Sequence, residues 1–270
     1  MIITVVTPTL NGAEFLGACI ASVRRNCHPS YEIDHVIVDA GSTDGTIEIA
    51  RSAGLRIMQG KDKGIFDAIN KGSFNSRGDL LGFLGADDTM LDGALLKIVT
   101  AYTRSGRGWV VGGIRWIDGR GESLGELAAP PIWMSARMQA CLGWNPVMHM
   151  STYFSRELFE NLGGFNIDYK DAGDYELFAR ALQREPYARV AAPLTCFRRT
   201  GANNSVVNAR RAGREARQVL ESFGPRSHWE RAFWKQFLKC WFNLRNPGWM
   251  VRKMGRAVRV RYDPAAQPYF

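Results

Sequence analysis

The chain contains 270 residues, of which 46% are hydrophobic and 23% are charged. This balance is typical of a globular protein and excludes an intrinsically disordered chain. The five cysteines are scattered and form no CxxC pair, so we expect neither a disulfide framework nor a cysteine-rich zinc site, and a reducing cytoplasm fits best. The sequence also lacks a signal-peptide pattern and any apolar stretch of about 18 residues, so we expect no membrane-spanning helix.

The net charge of +9 is concentrated near the C-terminus. Residues 208–263 contain fourteen Lys or Arg and four acidic residues, which gives this segment a charge of +10 and leaves −1 for the rest. A basic surface of this kind attracts anionic partners. We therefore divide the chain into a main domain at residues 1–205 and a basic helical extension at residues 206–270.

Strand and helix patterns alternate along the first part of the chain. Apolar or β-branched runs of strand length occupy residues 2–7, 36–39, 55–58, 80–84 and 109–112. Amphipathic helical patterns lie between them at residues 14–25, 46–53, 65–74 and 91–102. Repeated units of this kind predict an α/β fold in which a mostly parallel, Rossmann-like sheet is flanked by helices.

The pattern is less regular after about residue 116. A polar turn is expected at 119–125, strands at 148–154 and within 190–199, and helices at 157–161 and 174–183. We find no internal repeat and no low-complexity segment.

Polar and acidic residues follow three of the predicted strands. Asn11 comes after the first, Asp39 ends the second, and Asp87 and Asp88 follow the fourth. In parallel sheets, ligands bind beyond the carboxyl ends of the strands. The sequence therefore predicts a site at this edge of the sheet.

The Asp87-Asp88 pair has two interpretations. Two adjacent carboxylates provide hard oxygen ligands that suit Mg²⁺ or Mn²⁺ together with a substrate diphosphate. Alternatively, Asp88 or Asp92 is the N-cap of the helix at 91–102. In the same way, Asp39 either accepts a hydrogen bond from a nucleotide or only stabilises a turn with Ser42.

Phosphate-binding glycine motifs are absent from the sequence. Neither GxGxxG after the first strand nor GxxxxGK[ST] occurs, which argues against a dinucleotide site and a P-loop. In segment 62–72, Lys63 is placed to meet a phosphate, and Asp67 lies near a helix N-terminus, where a carboxylate is favoured. The alternative for this segment is an ordinary solvated helix face.

These motifs together resemble an inverting family 2 glycosyltransferase with the GT-A fold. The resemblance covers about residues 1–200, and its central part is similar to a bacterial subgroup that builds exopolysaccharide, capsule and O-antigen chains. It rests on the runs TPTLN at 7–11, VDAGSTDGT at 38–46, DKGIFDAINKG at 62–72, GADD at 85–88, LGGF at 162–165 and DYELFAR at 174–180.

The resemblance implies a nucleotide-sugar site, with a UDP-sugar favoured on family frequency. Asp88 would be the direct ligand of Mn²⁺ or Mg²⁺ in a DXD-type motif, although this chain has Ala-Asp-Asp instead of a literal Asp-x-Asp. The implied donor-binding residues are Thr7, Pro8, Thr9, Asn11, Asp39, Ser42, Lys63, Asp67, Asn70 and Asp87.

Asp174 occupies the position of the family's catalytic base. An inverting transfer needs one carboxylate to deprotonate the acceptor hydroxyl, and Asp174 opens a predicted helix whose dipole favours its ionised form. Asp171 and Glu176 are competing candidates. His149 either contacts acceptor or phosphate or is a half-buried structural residue, and Trp133 and Trp144 either stack on a sugar or belong to the core.

The basic extension contains an amphipathic helix. Trp229, Phe233, Phe237 and Trp241 recur every four residues, opposite a basic half that includes Lys235. A second basic segment is expected at 249–260. Aromatic and cationic faces of this kind suit a helix lying on an anionic membrane. The alternatives are packing on the main domain and nucleic-acid binding; we expect no nucleic-acid partner, because no recognition motif accompanies the charge.

The sequence therefore predicts a metal-dependent inverting glycosyltransferase. It would move a sugar from a nucleoside-diphosphate donor to a glycan or lipid-linked acceptor in bacterial surface polysaccharide synthesis. It would be cytoplasmic and peripheral at the inner face of the membrane. The alternative is a non-catalytic nucleotide-sugar or glycan-binding module on the same fold.

Overall fold

The computed structural model describes residues 1–200 and 208–246. Its strands are β1 (Ile2–Thr9), β2 (Glu32–Asp39), β3 (Arg56–Gln59), β4 (Leu80–Phe83), β5 (Thr89–Met90), β6 (Trp109–Ile117), β7 (Ser123–Leu127), β8 (Thr152–Ser155) and β9 (Ala188–Arg198). Its helices are α1 (Ala13–Arg24), α2 (Thr46–Ser52), α3 (Ile65–Phe74), α4 (Ala94–Ser105), α5 (Ala136–Ala140), a 3₁₀ helix (His149–Ser151), α6 (Arg156–Asn161), α7 (Gly173–Arg184), α8 (Ala209–Phe223) and α9 (His228–Arg245).

One sheet contains all of these strands, in the order β3-β2-β1-β4-β8-β6-β9-β5, with β7 paired to β6. The α/β class is confirmed, and the first four strands are parallel to one another as expected. Farther along, the sheet is mixed, because β8 runs antiparallel to β4 and β6, and β7 runs antiparallel to β6. The turn predicted at 119–125 ends earlier, because residues 123–125 already belong to β7. The shorter turn explains the β6–β7 pair, since a short turn joins antiparallel neighbours.

The predicted helices of the main domain all form, with ends displaced by up to three residues. The largest displacement is in α4, because Gly93 adopts a left-handed φ of 71° immediately before it. The expected strand at 148–154 is divided into a 3₁₀ turn at His149–Ser151 and the short β8. Strand β5 was not predicted, since two residues carry no recognisable pattern.

Trp109 is the centre of the core that connects the later strands to α7. Its ring stacks on Phe154 with centroids 5.3 Å apart and meets Tyr187 edge-on at 5.1 Å. The indole N–H donates to the carbonyl of Glu185 at 3.1 Å, directly after α7 ends. This cluster holds α7, which carries Asp174, against the sheet.

Both C-terminal helices pack on the main domain. In α8, Val219 is fully buried with Ala140 of α5 and with Ala172 and Tyr175 at the beginning of α7. In α9, Leu238 and Phe242 enter the main core. No helix among the described residues has both the length and the apolarity that crossing a bilayer requires. The predicted boundary at 205/206 and the segment at 249–260 lie outside the described residues.

Candidate active site

The carboxyl ends of β1, β2 and β4 lie side by side. In the parallel register, Thr9 is opposite Asp39, and Val6 of β1 is opposite Phe83 of β4. Asp87 and Asp88 follow β4 directly. The register therefore brings three of the predicted segments to one edge of the sheet, where an α/β fold binds its ligands.

The side chain of Thr7 points into the protein interior. Its side chain is fully buried, and its hydroxyl lies 2.9 Å from Nε2 of His35 on β2. Burial lowers the pKa of His35 to about 4, assisted by the charge of Arg24. Because side chains alternate along a strand, Pro8 lies on the opposite face and is half-buried. Thr7 thus contributes its side chain to the interior beneath the site.

Thr9 lies at the rim with an unpaired polar atom. Its hydroxyl is buried and has no hydrogen-bond partner among the described residues. It is also only 2.6 Å from the position that a Cβ on Gly12 would take. A Cβ at position 12 would clash with this hydroxyl, so the close approach of the backbone to Thr9 requires glycine there.

Asn11, Asp39 and Ser42 connect the loops after β1 and β2. The buried carboxylate of Asp39 accepts from the backbone N–H groups of Gly41 and Ser42, at 2.9 and 3.0 Å. The Ser42 hydroxyl accepts from the backbone N–H of Asn11 at 2.8 Å, and Asn11 Oδ1 accepts from the N–H of Thr43 at 2.9 Å. These bonds fix the two loops relative to each other, so the rim is organised without a ligand.

The segment at 62–72 contributes one exposed lysine and two connecting residues. The Lys63 side chain is exposed, while its N–H donates to Asp67 at 2.8 Å. Desolvation opposes ionisation of Asp67, but that bond and the adjacent Lys71 ammonium lower its pKa overall. Asn70 binds the backbone of Phe165 in both directions, at 2.8 and 2.9 Å. Asp67 and Asn70 therefore shape the loops around the site.

Asp88 is buried and does not cap α4. Its Oδ1 accepts from the backbone N–H of Arg198 at 2.9 Å, whereas Gly93 precedes the helix and Asp92 pairs with Arg25. The N-cap interpretation is therefore wrong for both aspartates. Burial, reinforced by the charge of Asp87, raises the pKa of Asp88 well above its usual range.

The two carboxylates converge on the space above Gly85. A Cβ at that glycine would lie 2.9 Å from Oδ1 of Asp87 and 3.0 Å from Oδ2 of Asp88. Burial raises the pKa of Asp87 as well, although its own backbone, His149 and Arg198 oppose this effect. These two neighbouring carboxylates are hard oxygen ligands of the kind that could hold a divalent cation. Within residues 1–200 and 208–246 no group of three or more His, Cys, Asp or Glu is arranged for a metal, so diphosphate and water would complete the coordination.

Arg198 contacts both aspartates after β4 and was not predicted from the sequence. Its Nε donates to the carbonyl of Asp87 at 2.9 Å, and its guanidinium donates to the carbonyls of Asp118 and Gly119. The guanidinium lies 4.6 Å from the ring centre of Phe15. A buried arginine at the end of β9 thus supports the loop with the paired carboxylates. The sequence contained one indication of this contact, namely an arginine at the end of a mostly apolar predicted strand.

Asp174 and His149 form an acidic and basic pair between the 3₁₀ turn and α7. Nδ1 of His149 lies 3.5 Å from Oδ2 of Asp174, and Oδ1 of Asp174 accepts from the N–H of Tyr175 at 2.7 Å. The two competing carboxylates are engaged elsewhere: Asp171 pairs with Arg211, and Glu176 binds Arg180 through both oxygens. Geometry therefore distinguishes Asp174 from its neighbours.

Trp133 and Trp144 contact the extension. The ring of Trp144 packs on Phe242 with centroids 5.4 Å apart, and Trp133 meets Phe237 and Trp241 at 5.8 and 6.1 Å. Their observed partners are thus side chains of α9.

Known proteins resemble this chain over most of its length. The family model described as Glycosyl transferase family 2 matches residues 4–163, more than half of the chain. A PGL/p-HBAD biosynthesis glycosyltransferase of Mycobacterium bovis is 29% identical over 191 residues, which cover 66% of this chain and 68% of that protein.

Two solved structures show the same fold. TarS 1–349 of S. aureus in complex with UDP-GlcNAc matches with a TM-score of 0.65 at 17% identity, covering 88% of this chain and 70% of the other. The mannosyltransferase PcManGT of Pyrobaculum calidifontis, in complex with GDP-Man and Mn²⁺, matches with a TM-score of 0.61 at 18% identity, covering 95% and 75%. At these identities the likeness establishes the GT-A architecture and no finer property.

Proposed function

Because the chain belongs to glycosyl transferase family 2 and is a glycosyltransferase, we propose that it transfers a sugar with inversion from a nucleoside-diphosphate donor to a hydroxyl acceptor. The observation that carries this proposal is the position of His149. Its Nδ1 is 3.5 Å from Oδ2 of Asp174. Burial raises the pKa of Asp87, and His149 is among the groups that oppose this rise. Both relationships support one site that contains Asp174 and the paired carboxylates.

The donor would lie across the rim of β1 and β2. The unpaired Thr9 hydroxyl, Pro8 and the loop fixed by Asn11, Asp39 and Ser42 would hold the base and ribose. Lys63 would approach the base or phosphates, and Asp87 the ribose or the donor sugar. The loops that hold the donor would in turn be stabilised by Thr7, Asp67 and Asn70. A UDP-sugar is the donor we favour, in line with UDP-GlcNAc bound by TarS, while GDP-mannose bound by PcManGT represents the alternative.

A divalent cation, Mn²⁺ or Mg²⁺, would be held by Asp88 with support from Asp87. When bound, it neutralises a diphosphate leaving group. The raised pKa values of both carboxylates support this assignment, because a nearby cation offsets the cost of their buried charges. Arg198 fixes Asp88 through its backbone N–H and leaves Oδ2 directed at the shared space.

Asp174 would act as the general base. Its Oδ2 accepts the proton of the acceptor hydroxyl while the acceptor oxygen bonds to the anomeric carbon and the bond to the nucleoside diphosphate breaks on the opposite face. Tyr175 N–H holds Oδ1, and the N-terminus of α7 favours the ionised carboxylate. His149 would orient Oδ2 toward the acceptor.

The acceptor would be a glycan or a lipid-linked sugar. The transfer would then be a step of bacterial surface polysaccharide synthesis. The extension, residues 206–270, supports a membrane contact for the catalytic domain at residues 1–205. One stripe of α9 packs on the domain, whereas Trp229 is 87% exposed and Phe233 is 58% exposed. Lys235 and Lys239 are also exposed. Exposed aromatic and cationic side chains on one helix suit an anionic membrane surface.

A donor panel tests the proposed reaction. Purified protein is incubated with UDP-, GDP- and dTDP-sugars and Mn²⁺ or Mg²⁺, with glycan and lipid-linked acceptors, and the release of nucleoside diphosphate is measured. We expect release from one donor, its loss with EDTA, and its loss in Asp88→Asn. Asp92→Asn, four residues farther along but beyond β5 and paired with Arg25 at the surface, is the matched control. Full activity in EDTA would contradict the metal assignment.

A further inference from the structure

Glu215 of the C-terminal extension binds the loop that leads into α7. Its side chain is buried, at 8% exposure, and its carboxylate accepts three consecutive backbone N–H groups. Oε1 accepts from Lys170 at 3.0 Å, and Oε2 accepts from Asp171 and Ala172, both at 2.8 Å. A carboxylate that receives three backbone donors forms strong charge-assisted bonds and fixes all three peptide groups.

The bound loop ends two residues before Asp174. Helix α7 begins at Gly173, so Ala172 is its N-cap residue and Asp174 lies in its first turn. The Ala172 cap makes no side-chain hydrogen bond of its own. Glu215 therefore determines where α7 starts and, through that, the position of the Asp174 carboxylate.

The same loop also reaches the donor side. The Lys170 ammonium donates to the carbonyl of Lys63 at 3.0 Å and to that of Ile167 at 2.6 Å. Lys63 belongs to the loop that precedes α3. By holding the backbone of Lys170, Glu215 fixes the base and the donor loop in one arrangement.

Two other contacts of α8 hold the helix in place without Glu215. One turn earlier, Arg211 pairs with Asp171, and one turn later Val219 is fully buried against α5 and α7. Anchoring of α8 thus does not depend on the Glu215 carboxylate. Within residues 1–200 and 208–246, Glu215 is the common acceptor for the three amides ahead of α7.

We propose that Glu215 is a positioning residue for sugar transfer, which holds Asp174 in register with the donor loop. The proposal rests on the proposed function, since it takes Asp174 as the base. A misplacement of a reacting group by about 1 Å costs about 100-fold in rate, so loss of this carboxylate should act on the chemical step. Substrate binding should change much less.

The test compares Glu215→Gln with Glu221→Gln, an exposed glutamate on the same helix. Glutamine keeps the size of the side chain but replaces one acceptor oxygen with an NH₂ group that cannot accept from the backbone. We expect kcat to fall about 10- to 100-fold with donor KM within about threefold. The unfolding midpoint should lie below that of Glu221→Gln, because buried N–H donors lose an acceptor, while the protein stays folded at the assay temperature. Glu215→Asp, which keeps the charge but is one methylene shorter, should recover part of kcat and is measured as well in case Glu215→Gln does not fold.

Three outcomes would overturn the proposal: unchanged kcat in Glu215→Gln, a rise in KM without a fall in kcat, or a fall in kcat that only follows the loss of folded protein. The same assay on Asp174→Asn separates this proposal from the proposed function. If Asp174→Asn keeps its activity, the assignment of the base fails; if Asp174→Asn is inactive and Glu215→Gln is fully active, only the positioning role fails.

Discussion

His149 places Nδ1 at 3.5 Å from Oδ2 of Asp174 across the gap between the 3₁₀ turn and α7. These residues are 25 positions apart, and neither lies on a strand of the sheet. Both side chains are mostly buried, at 23% and 18% exposure. The pair is therefore a tertiary feature, in which one oxygen of the carboxylate is held by the backbone and the other faces an imidazole.

Replacing Asp174 with Asn should remove the base and leave the fold intact. The amide oxygen still accepts from Tyr175 N–H, but the group no longer takes up a proton. We expect kcat to fall by about 10²- to 10⁴-fold with donor affinity unchanged, measured by turnover and by calorimetry. Asp168→Asn, an exposed carboxylate in the preceding loop, is the control. Equal turnover in the two variants would remove Asp174 from the mechanism.

Replacing His149 with Gln should lower kcat by about tenfold, because the carboxylate loses the group that orients Oδ2. If His149 acts through Asp174, adding His149→Gln to Asp174→Asn should cause no further loss, since residues that act as a unit are not additive. The measurement is a double-mutant cycle on kcat. Additive losses would mean that His149 acts elsewhere, for example on the donor phosphates.

The variant Asp88→Asn should distinguish the effect of cation binding on the melting temperature from the effect of the buried charge. Burial raises the pKa of Asp88. When the pH rises above the ordinary pKa of an aspartate, the buried charge becomes unfavourable in the folded state, and the stability of the protein falls. At neutral pH without metal, Asp88→Asn should therefore have a melting temperature at least equal to that of the parent. Added Mn²⁺ should raise the melting temperature of the parent and have little effect on the variant. Equal shifts in the two proteins would place the cation elsewhere.

Local patterns were sufficient to predict the N-terminal half of the fold. Helix α3 has the predicted bounds, and the acids after β2 and β4 lie at one sheet edge, because strand length, helical period and turn residues are local properties. Local patterns did not predict the direction in which a side chain points or the residue that it contacts. Thr7 belongs to the interior because its partner His35 is on another strand, and Asn70 supports a turn because its partner Phe165 is 95 residues away.

The choice among carboxylates near α7 shows the same limit. The sequence favours Asp174 through the family resemblance and the predicted helix start but leaves Asp171 and Glu176 as competitors. In the structure their partners distinguish the three carboxylates. Arg211 comes from the extension and pairs with Asp171, while Arg180 lies one turn along α7 and pairs with Glu176. The i,i+4 pair was available from the sequence, whereas the contact made by Arg211 required the fold.

Stability should depend on pH through His35. Burial, and secondarily Arg24, lowers its pKa from 6.5 to about 4, so between these values the unfolded state binds more protons than the folded state. The free energy of unfolding should then decrease by about 3 kcal/mol as pH falls from about 6.5 to 4. His35→Gln should lose this component, while His228→Gln, an exposed histidine, should keep it. Parallel pH profiles for all three proteins in urea unfolding would contradict the assignment.

The exposed aromatic and basic side chains of α9 predict that the protein binds to anionic vesicles. Trp229 and Phe233 face outward while Leu238 and Phe242 hold the helix, so Trp229→Ser should weaken binding without unfolding the protein, and Leu96→Ser on α4, at 38% exposure, should not. Each of Lys235→Gln and Lys239→Gln should weaken binding about fivefold, which corresponds to about 1 kcal/mol per cation. Co-sedimentation with phosphatidylglycerol and with phosphatidylcholine vesicles measures these effects. Salt-sensitive binding to DNA without binding to either vesicle would instead assign the basic face to nucleic acid.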